Sequence, residues 1–301
     1  MFKIIQTRKI WYTVSITLVS ISILGWFLWG LKYGLDFTGG SLMDVTYSQQ
    51  RPNVDEVKAV FNQVNITDVI VQPSGEKDYI FRFQNIDEAR HQEIVKALTE
   101  IKVANTDNNI FSENKFESIG PSLGKELKTK AIQAIIIVLV FIVLYIAYAF
   151  RKVSKPVESW KYGVSAIIAL AHDVLVVTGI FVFLGRFAGV EVDSLFVTAL
   201  LTLLGFSVHD TIVTFDRIRE NLFKSRSYDN FEEIINISIN QTIVRSLNTS
   251  LTTFLALLAI LLFGGESTRY LALALLIGVI VGTYSSIFIA SPLLLLFNKK
   301  R

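Results

Sequence analysis

Six stretches of this chain are long and apolar enough to cross a lipid bilayer, and nothing else in the sequence constrains the fold as strongly. A hydrocarbon slab of about 30 Å takes roughly 20 apolar helical residues to cross. Four runs of that length carry no Lys, Arg, Asp or Glu: residues 10–31, 131–150, 246–265 and 270–298. The last is long enough to include a tilt or a tail beyond the bilayer. Two more, 162–185 and 194–215, qualify apart from one His-Asp pair each, His172-Asp173 and His209-Asp210. Hydrophobic residues make up 51% of the chain. They are gathered into runs, so the periodic pattern of a soluble core is excluded.

The first run follows Lys3, Arg8 and Lys9, as a secretory signal would, but its 22 uncharged residues exceed a signal core and no small-x-small cleavage site follows. It is expected to be retained as a helix. With no cysteine, disulfides and thiolate metal sites are excluded.

Short-loop Lys and Arg mark the cytoplasmic side. With the N-terminus inside, the cytoplasmic pieces hold Lys3, Arg8, Lys9, then Arg151, Lys152, Lys155, Lys161, then Arg217, Arg219, Lys224, Arg226, Arg245, and the tail Lys299-Lys300-Arg301. The two short outer loops hold only Arg186 and Arg269. Both termini are therefore expected in the cytoplasm and the segment 32–130 outside, in the periplasm of a Gram-negative cell. That segment carries 15 acids against 12 bases, and at 99 residues it is large enough to fold by itself. The expected division is 1–31 for the N-terminus and first span, 32–130 for the outer domain, and 131–301 for five further spans at 131–150, 162–185, 194–216, 244–265 and 270–298.

Within 32–130 the pattern predicts a strand at 42–47, a helix at 54–64, a strand at 69–72, a turn at Pro73-Ser74-Gly75, a strand at 79–83, a helix at 87–101 and a strand at 115–119. This βαββαβ order is the ferredoxin-like split βαβ plan. The fold class expected is thus a six-helix membrane bundle with one α+β domain outside it. In the loop before the fifth span, Asp229 followed by Glu232 reads as a helix start, and Phe231, Ile234, Ile235 and Ile239 keep helical spacing. An interfacial helix leading into that span is predicted.

A charge at mid-membrane costs about 2.5–3.5 kcal/mol on insertion scales, so intramembrane Asp173, Asp210 and Arg245 are candidate functional residues. On the fourth span Ser207, Asp210, Thr214 and Arg217 share a stripe. On the fifth, Gln241, Thr242, Arg245, Asn248, Thr249 and Thr252 form another. Asp210 and Arg245 lie at compatible depths, and an Asp opposite an Arg is a site that a proton switches between two states. One charge moved through 100 mV yields about 2.3 kcal/mol, against about 5.5 kcal/mol for a swing from 1:99 to 99:1. More than one proton per stroke, or a partial swing, follows. The alternative for Asp210 and Arg245 is a structural pair that fixes packing. For Asp173 and His172 a helix–helix hydrogen bond is the competing reading, and His209 is a third-ranked proton relay. The two His-Asp pairs lack the spacing of a metal site, so none is expected. The glycine-rich stretch Gly34 to Gly40 lacks the Lys-Ser/Thr of a phosphate loop and is no ATP site. No enzyme motif and no nucleic-acid signal is found.

That same stretch, GLDFTGG, resembles the signature of the SecD/SecF family of protein-export proteins. GFSVHDTIVTFDRIREN (205–221), AHDV (171–174) and SINQTIVRSLNTSLTT (238–253) resemble the family's fourth-, third- and fifth-span patterns. His209 stands where the family often has Asn. The resemblance covers nearly the whole chain. It implies an RND-like membrane half in a bacterial inner membrane, with protons as coupling ion and no cofactor. It further implies a heteromer with SecD supplied as a separate polypeptide, and the SecYEG translocon, YajC and the translocating preprotein as partners. Asp210 falls at the family's intramembrane acid, Arg245 at its basic partner, and Asp36, Gly39 and Gly40 in the outer signature. The implied role is late-stage preprotein export driven by the proton-motive force. The rival readings are a passive scaffold without ion flux, which an unchanged Asp210→Asn phenotype would favour, and an RND-type exporter, which would need larger outer domains.

Overall fold

Strict alternation of buried and more open residues along two central strands builds the sheet that lies, in sequence, between the first two long helices. The computed structural model describes residues 2–101, 110–151, 158–225 and 230–297. Lys152, Lys155, Arg226, Asp229 and the tail Lys299-Lys300-Arg301 lie outside the described residues. The chain forms two units, Tyr33–Lys130 and the remainder.

The α+β unit opens with the short helix α2 (Leu35–Thr38), which follows the first long helix, α1 (Arg8–Trp29). Then come β1 (Gly40–Tyr47), α3 (Val54–Gln63), β2 (Ile70–Ser74), β3 (Asp78–Phe83), α4 (Glu88–Thr99) and β4 (Phe111–Ile119). The strands run in the order β2-β3-β1-β4, all neighbours antiparallel. This is the βαββαβ plan. Met43, Val45 and Tyr47 of β1 and Tyr79, Phe81 and Phe83 of β3 point to one face of the sheet. There they meet Val57 and Phe61 of α3 and Ile94 and Leu98 of α4, all buried. Both helices start where their caps dictate. Asn53 and Glu56 form a reciprocal capping box, and Asp87 accepts from the Arg90 amide at 3.0 Å. β4 begins at Phe111, four residues before the predicted start, because Ser112 and Asn114 are exposed, the polar Glu113 turns instead to His91 of α4 at 3.0 Å, and the register with β1 shifts between Asp44 and Val45, which together hide an apolar alternation.

The second unit is helical: α1, α5 (Pro121–Ala149), α6 (Ser159–Ala188), α7 (Ser194–Lys224), α8 (Phe231–Phe263) and α9 (Glu266–Ser285). Only the part of α5 beyond Lys130 belongs to it. The last helix continues through a π turn (Ser286–Ala290), a single turn α10 (Ser291–Leu293) and a 3₁₀ turn (Leu294–Phe297). Among the described residues six helices, counting 268–297 as one, are long and apolar enough to span a bilayer. The protein is a multi-pass membrane helical bundle carrying an α+β domain. At 1.5 Å per residue α7 and α8 measure about 46 and 50 Å, more than the hydrocarbon slab. The surplus on α7 is charged and self-paired, Arg217 with Glu220, Arg219 with Asp216, and Lys224 with Glu220.

The helix expected to lead into the fifth span forms, and only its interfacial placement is corrected. α8 runs unbroken from Phe231 into the span, its N-cap position is Asn230 with no side-chain cap bond, and Phe231, Ile234, Ile235 and Ile239 are buried against Tyr162, Phe215, Ile218 and Leu222. Helical spacing continues through that stretch with no Gly or Pro to break it. The chain start is drawn into the same cluster. Ile4 and Ile5 are buried in it, and Asn236 and Asn240 on α8 hold the Phe2 backbone.

Candidate functional site

Two carboxylates lie inside the helical unit in different surroundings. Asp173, in the middle of α6, is fully buried. Its Oδ1 accepts from His172 Nδ1 at 3.0 Å; its Oδ2 accepts from Ser207 Oγ at 2.6 Å and from Ser285 Oγ at 2.8 Å. Three helices thus supply donors to one acid. Close approach of α9 to α7 makes this possible. A Cβ on Gly282 would sit 3.0 Å from the Ser207 Cβ, and one on Gly278 would sit 2.8 Å from Leu203. Two glycines four apart let the backbones meet. Immediately after Ser285 the helix widens into the π turn. Pro292 has no N–H to give the carbonyl four residues back, and Ser291 Oγ donates instead to the Ser286 carbonyl at 3.2 Å. Ser286 itself bonds the Ser207 carbonyl at 3.1 Å and Thr211 at 2.8 Å, which completes a buried hydroxyl network around Asp173.

Asp210 lies one turn further along α7 and is 4% exposed. Its Oδ2 and the buried Ser246 hydroxyl of α8 are each other's nearest polar neighbours but close no hydrogen bond of ordinary geometry. His209 and Arg245 act on it through charge alone, and among the described residues no ion pair joins Asp210 to Arg245. The two polar stripes do meet, through Thr214 and Thr242 hydroxyls at 3.4 Å and Arg217 Nε donating to Gln241 Oε1 at 2.6 Å. The rest of the α8 stripe turns away. Arg245, Asn248, Thr249 and Thr252 are exposed, as is His209 beside Asp210. Hydrocarbon cannot satisfy such a face. Chemically, this is a buried carboxyl whose nearest partner in the chain is one serine hydroxyl, next to an imidazole and a guanidinium that it does not touch.

Ser285 is the residue that sequence reasoning missed. Its signal was present, since the Ser285-Ser286 pair and Pro292 interrupt an otherwise apolar span. Ser207 was placed on the Asp210 stripe, yet it donates to Asp173.

The signature residues have a backbone role. Asp36 opens the first turn of α2, while Gly39 (φ 71°) and Gly40 (φ 121°) take left-handed conformations between α2 and β1. A Cβ on Gly39 would lie 2.8 Å from Pro121 Cα and one on Gly40 would lie 2.9 Å from the Phe83 carbonyl oxygen. Only glycine fits this joint. Among the described residues no three metal-ligating side chains cluster.

Comparison with known proteins agrees with this architecture. Residues 99–300 match the family model for the C-terminal part of the protein export membrane proteins SecD/SecF, and residues 30–50 match the SecD/SecF GG motif. The protein translocase subunit SecF of Thermobaculum terrenum is 42% identical over all of this chain and 95% of its own length. The same subunit of Pseudomonas aeruginosa is 34% identical, covering 97% of this chain and 90% of its own. The crystal structure of SecDF, a translocon-associated membrane protein from Thermus thermophilus, superposes with a TM-score of 0.80 at 30% identity over 99% of this chain, which spans 39% of that longer one. On these grounds the chain belongs to the SecD/SecF family of protein-export membrane proteins, in its SecF branch.

Proposed function

We propose that this chain pairs with a separate SecD subunit in the bacterial inner membrane and uses the proton-motive force to assist late-stage preprotein translocation through SecYEG. The observation that carries this reading is the open oxygen of buried Asp210 behind an exposed polar face of α7 and α8. An Arg, two amides' worth of donors and hydroxyls at membrane depth call for a polar protein neighbour, and the relatives' names and the longer SecDF chain support SecD as that neighbour. YajC and the preprotein complete the expected assembly. The termini then lie in the cytoplasm and the α+β domain in the periplasm, as the short-loop charges indicate.

In this account Asp210 takes a proton from one side and releases it to the other, and Arg245 feels the change in charge across the Ser246 gap. That biases a two-state arrangement of α7 against its neighbours. The α+β domain, which follows α1 and precedes α5 in the chain, transmits the motion outward. The test is export of a secreted reporter in cells whose native copy is replaced by Asp210→Asn or Arg245→Met. Lost export with normal assembly is the expected result; full export by both variants reduces the chain to a scaffold.

A further inference from the structure

We propose that His172, held by Asp173, is a second proton-binding site, opening onto a groove between α1 and α6 and separate from Asp210. When Asp173 is ionised it only accepts hydrogen bonds, as it does from Ser207 and Ser285, and in that state the His172–Asp173 bond carries the proton of the neutral ring on Nδ1. Nε2 is left with its lone pair. It is buried and has no partner in the protein, while the His172 side chain is only 6% exposed. The ring lines a groove of about 500 Å³ bordered by Tyr12, Ser15 and Ser20 of α1 and by Leu293 and Leu296. The Tyr12 hydroxyl, in the same groove, is likewise buried and unpartnered.

Two buried polar atoms without protein partners thus border one otherwise apolar groove, where a water reaching both would satisfy them. A hydronium there gives its proton to the Nε2 lone pair and becomes water. The imidazolium formed is compensated by the Asp173 carboxylate, which keeps all three of its donors, and the reverse step returns the proton to water. The titratable and charged groups around His172 are few. Asp173 is on its own helix, Tyr12 is on α1 with Arg8 one turn before it, and Tyr284 is on α9 with its ring centre 6.0 Å away. Facing it, α7 presents Ser207, and the segment beyond the π turn presents aliphatic side chains. Tyr284 is already engaged, with Ser15 at 2.9 Å and the Trp11 carbonyl at 3.0 Å, whereas the buried Tyr12 hydroxyl at the groove has no protein partner.

The chain has three histidines, His91, His172 and His209. Nitrogen NMR of ¹⁵N-histidine-labelled protein in the assembled complex therefore resolves each, with His→Gln variants to assign them. The expected result is that His172 Nε2 gains and loses a proton reversibly between mildly acidic and mildly basic pH, that Asp173→Asn abolishes or displaces this titration, and that Asp210→Asn leaves it in place. Should Asp173→Asn fail to assemble, Ser285→Ala, which keeps the carboxylate but removes one donor, is expected to displace the titration. A His172 that stays neutral with Nδ1 protonated throughout overturns the proposal. So does a titration that disappears with Asp210→Asn, since the two sites would then be one. Loss of export in Asp210→Asn with an intact His172 titration keeps this site distinct from the reading of Asp210.

Discussion

Asp173 and Asp210 are both aspartates of the bundle interior, each preceded by a histidine, yet only the first is finished within the chain. Asp173 receives three donors from α6, α7 and α9, and its histidine is buried with it. Asp210 keeps an oxygen without partner, faces an equally unpartnered serine, and has its histidine on the exposed side. The lesson is that burial alone does not mark a working acid in a membrane. What marks it is where its satisfaction has to come from. Asp173 is organised by this chain, whereas the Asp210 face is left open by it.

The largest effect expected from this contrast is on export. Asp210→Asn keeps the shape and removes the titration, so stimulated export falls roughly 5- to 150-fold, the range of ordinary allosteric coupling, while the chain still inserts and assembles. Export of a secreted reporter reads it. Next comes Gly179→Leu. A Cβ there overlaps Ser22, so the α1–α6 contact beside His172 opens, at a cost of about 1–3 kcal/mol or more in the isolated chain, read by thermal unfolding in detergent. Ser285→Ala follows, removing one of the two donors to Asp173 Oδ2 at about 0.6 kcal/mol and at most about 1.7 kcal/mol in the same assay. The smallest effect on the chain alone belongs to Arg245→Met. An exposed side chain joined to Asp210 by no ion pair changes its stability by less than about 0.5 kcal/mol, while co-purification with SecD drops. Equal loss of isolated-chain stability in Ser285→Ala and Arg245→Met would erase the distinction between the two regions.

Much of this was legible in the residues, and what was not has a physical reason. The six spans follow from length and apolarity, and the βαββαβ order follows from period-2 and period-3.6 patterns around Pro73-Ser74-Gly75. The early start of α5 at Pro121 was hidden because Lys125, Glu126, Lys128 and Lys130 break any charge-free window, though such residues extend a helix readily. The α8 stripe was read as one face turned to α7. Thr242, Ser246 and Ser250 are buried while Gln241, Arg245, Asn248 and Thr252 are open, and two such neighbouring stripes differ by only about 100° around the helix. Periodicity gives each stripe but not which one a neighbour covers. The Asp173 network depends on Ser285 meeting Ser207 across Gly278 and Gly282, a tertiary approach that no local pattern encodes.

The most direct test of the central claim is proton flux across vesicles carrying this chain assembled with SecD, with wild type and Asp210→Asn compared at equal incorporation. The account predicts that Asp210→Asn abolishes the flux that wild type sustains. Flux that is unchanged in that variant would contradict it, and would leave the open oxygen of Asp210 as a packing feature.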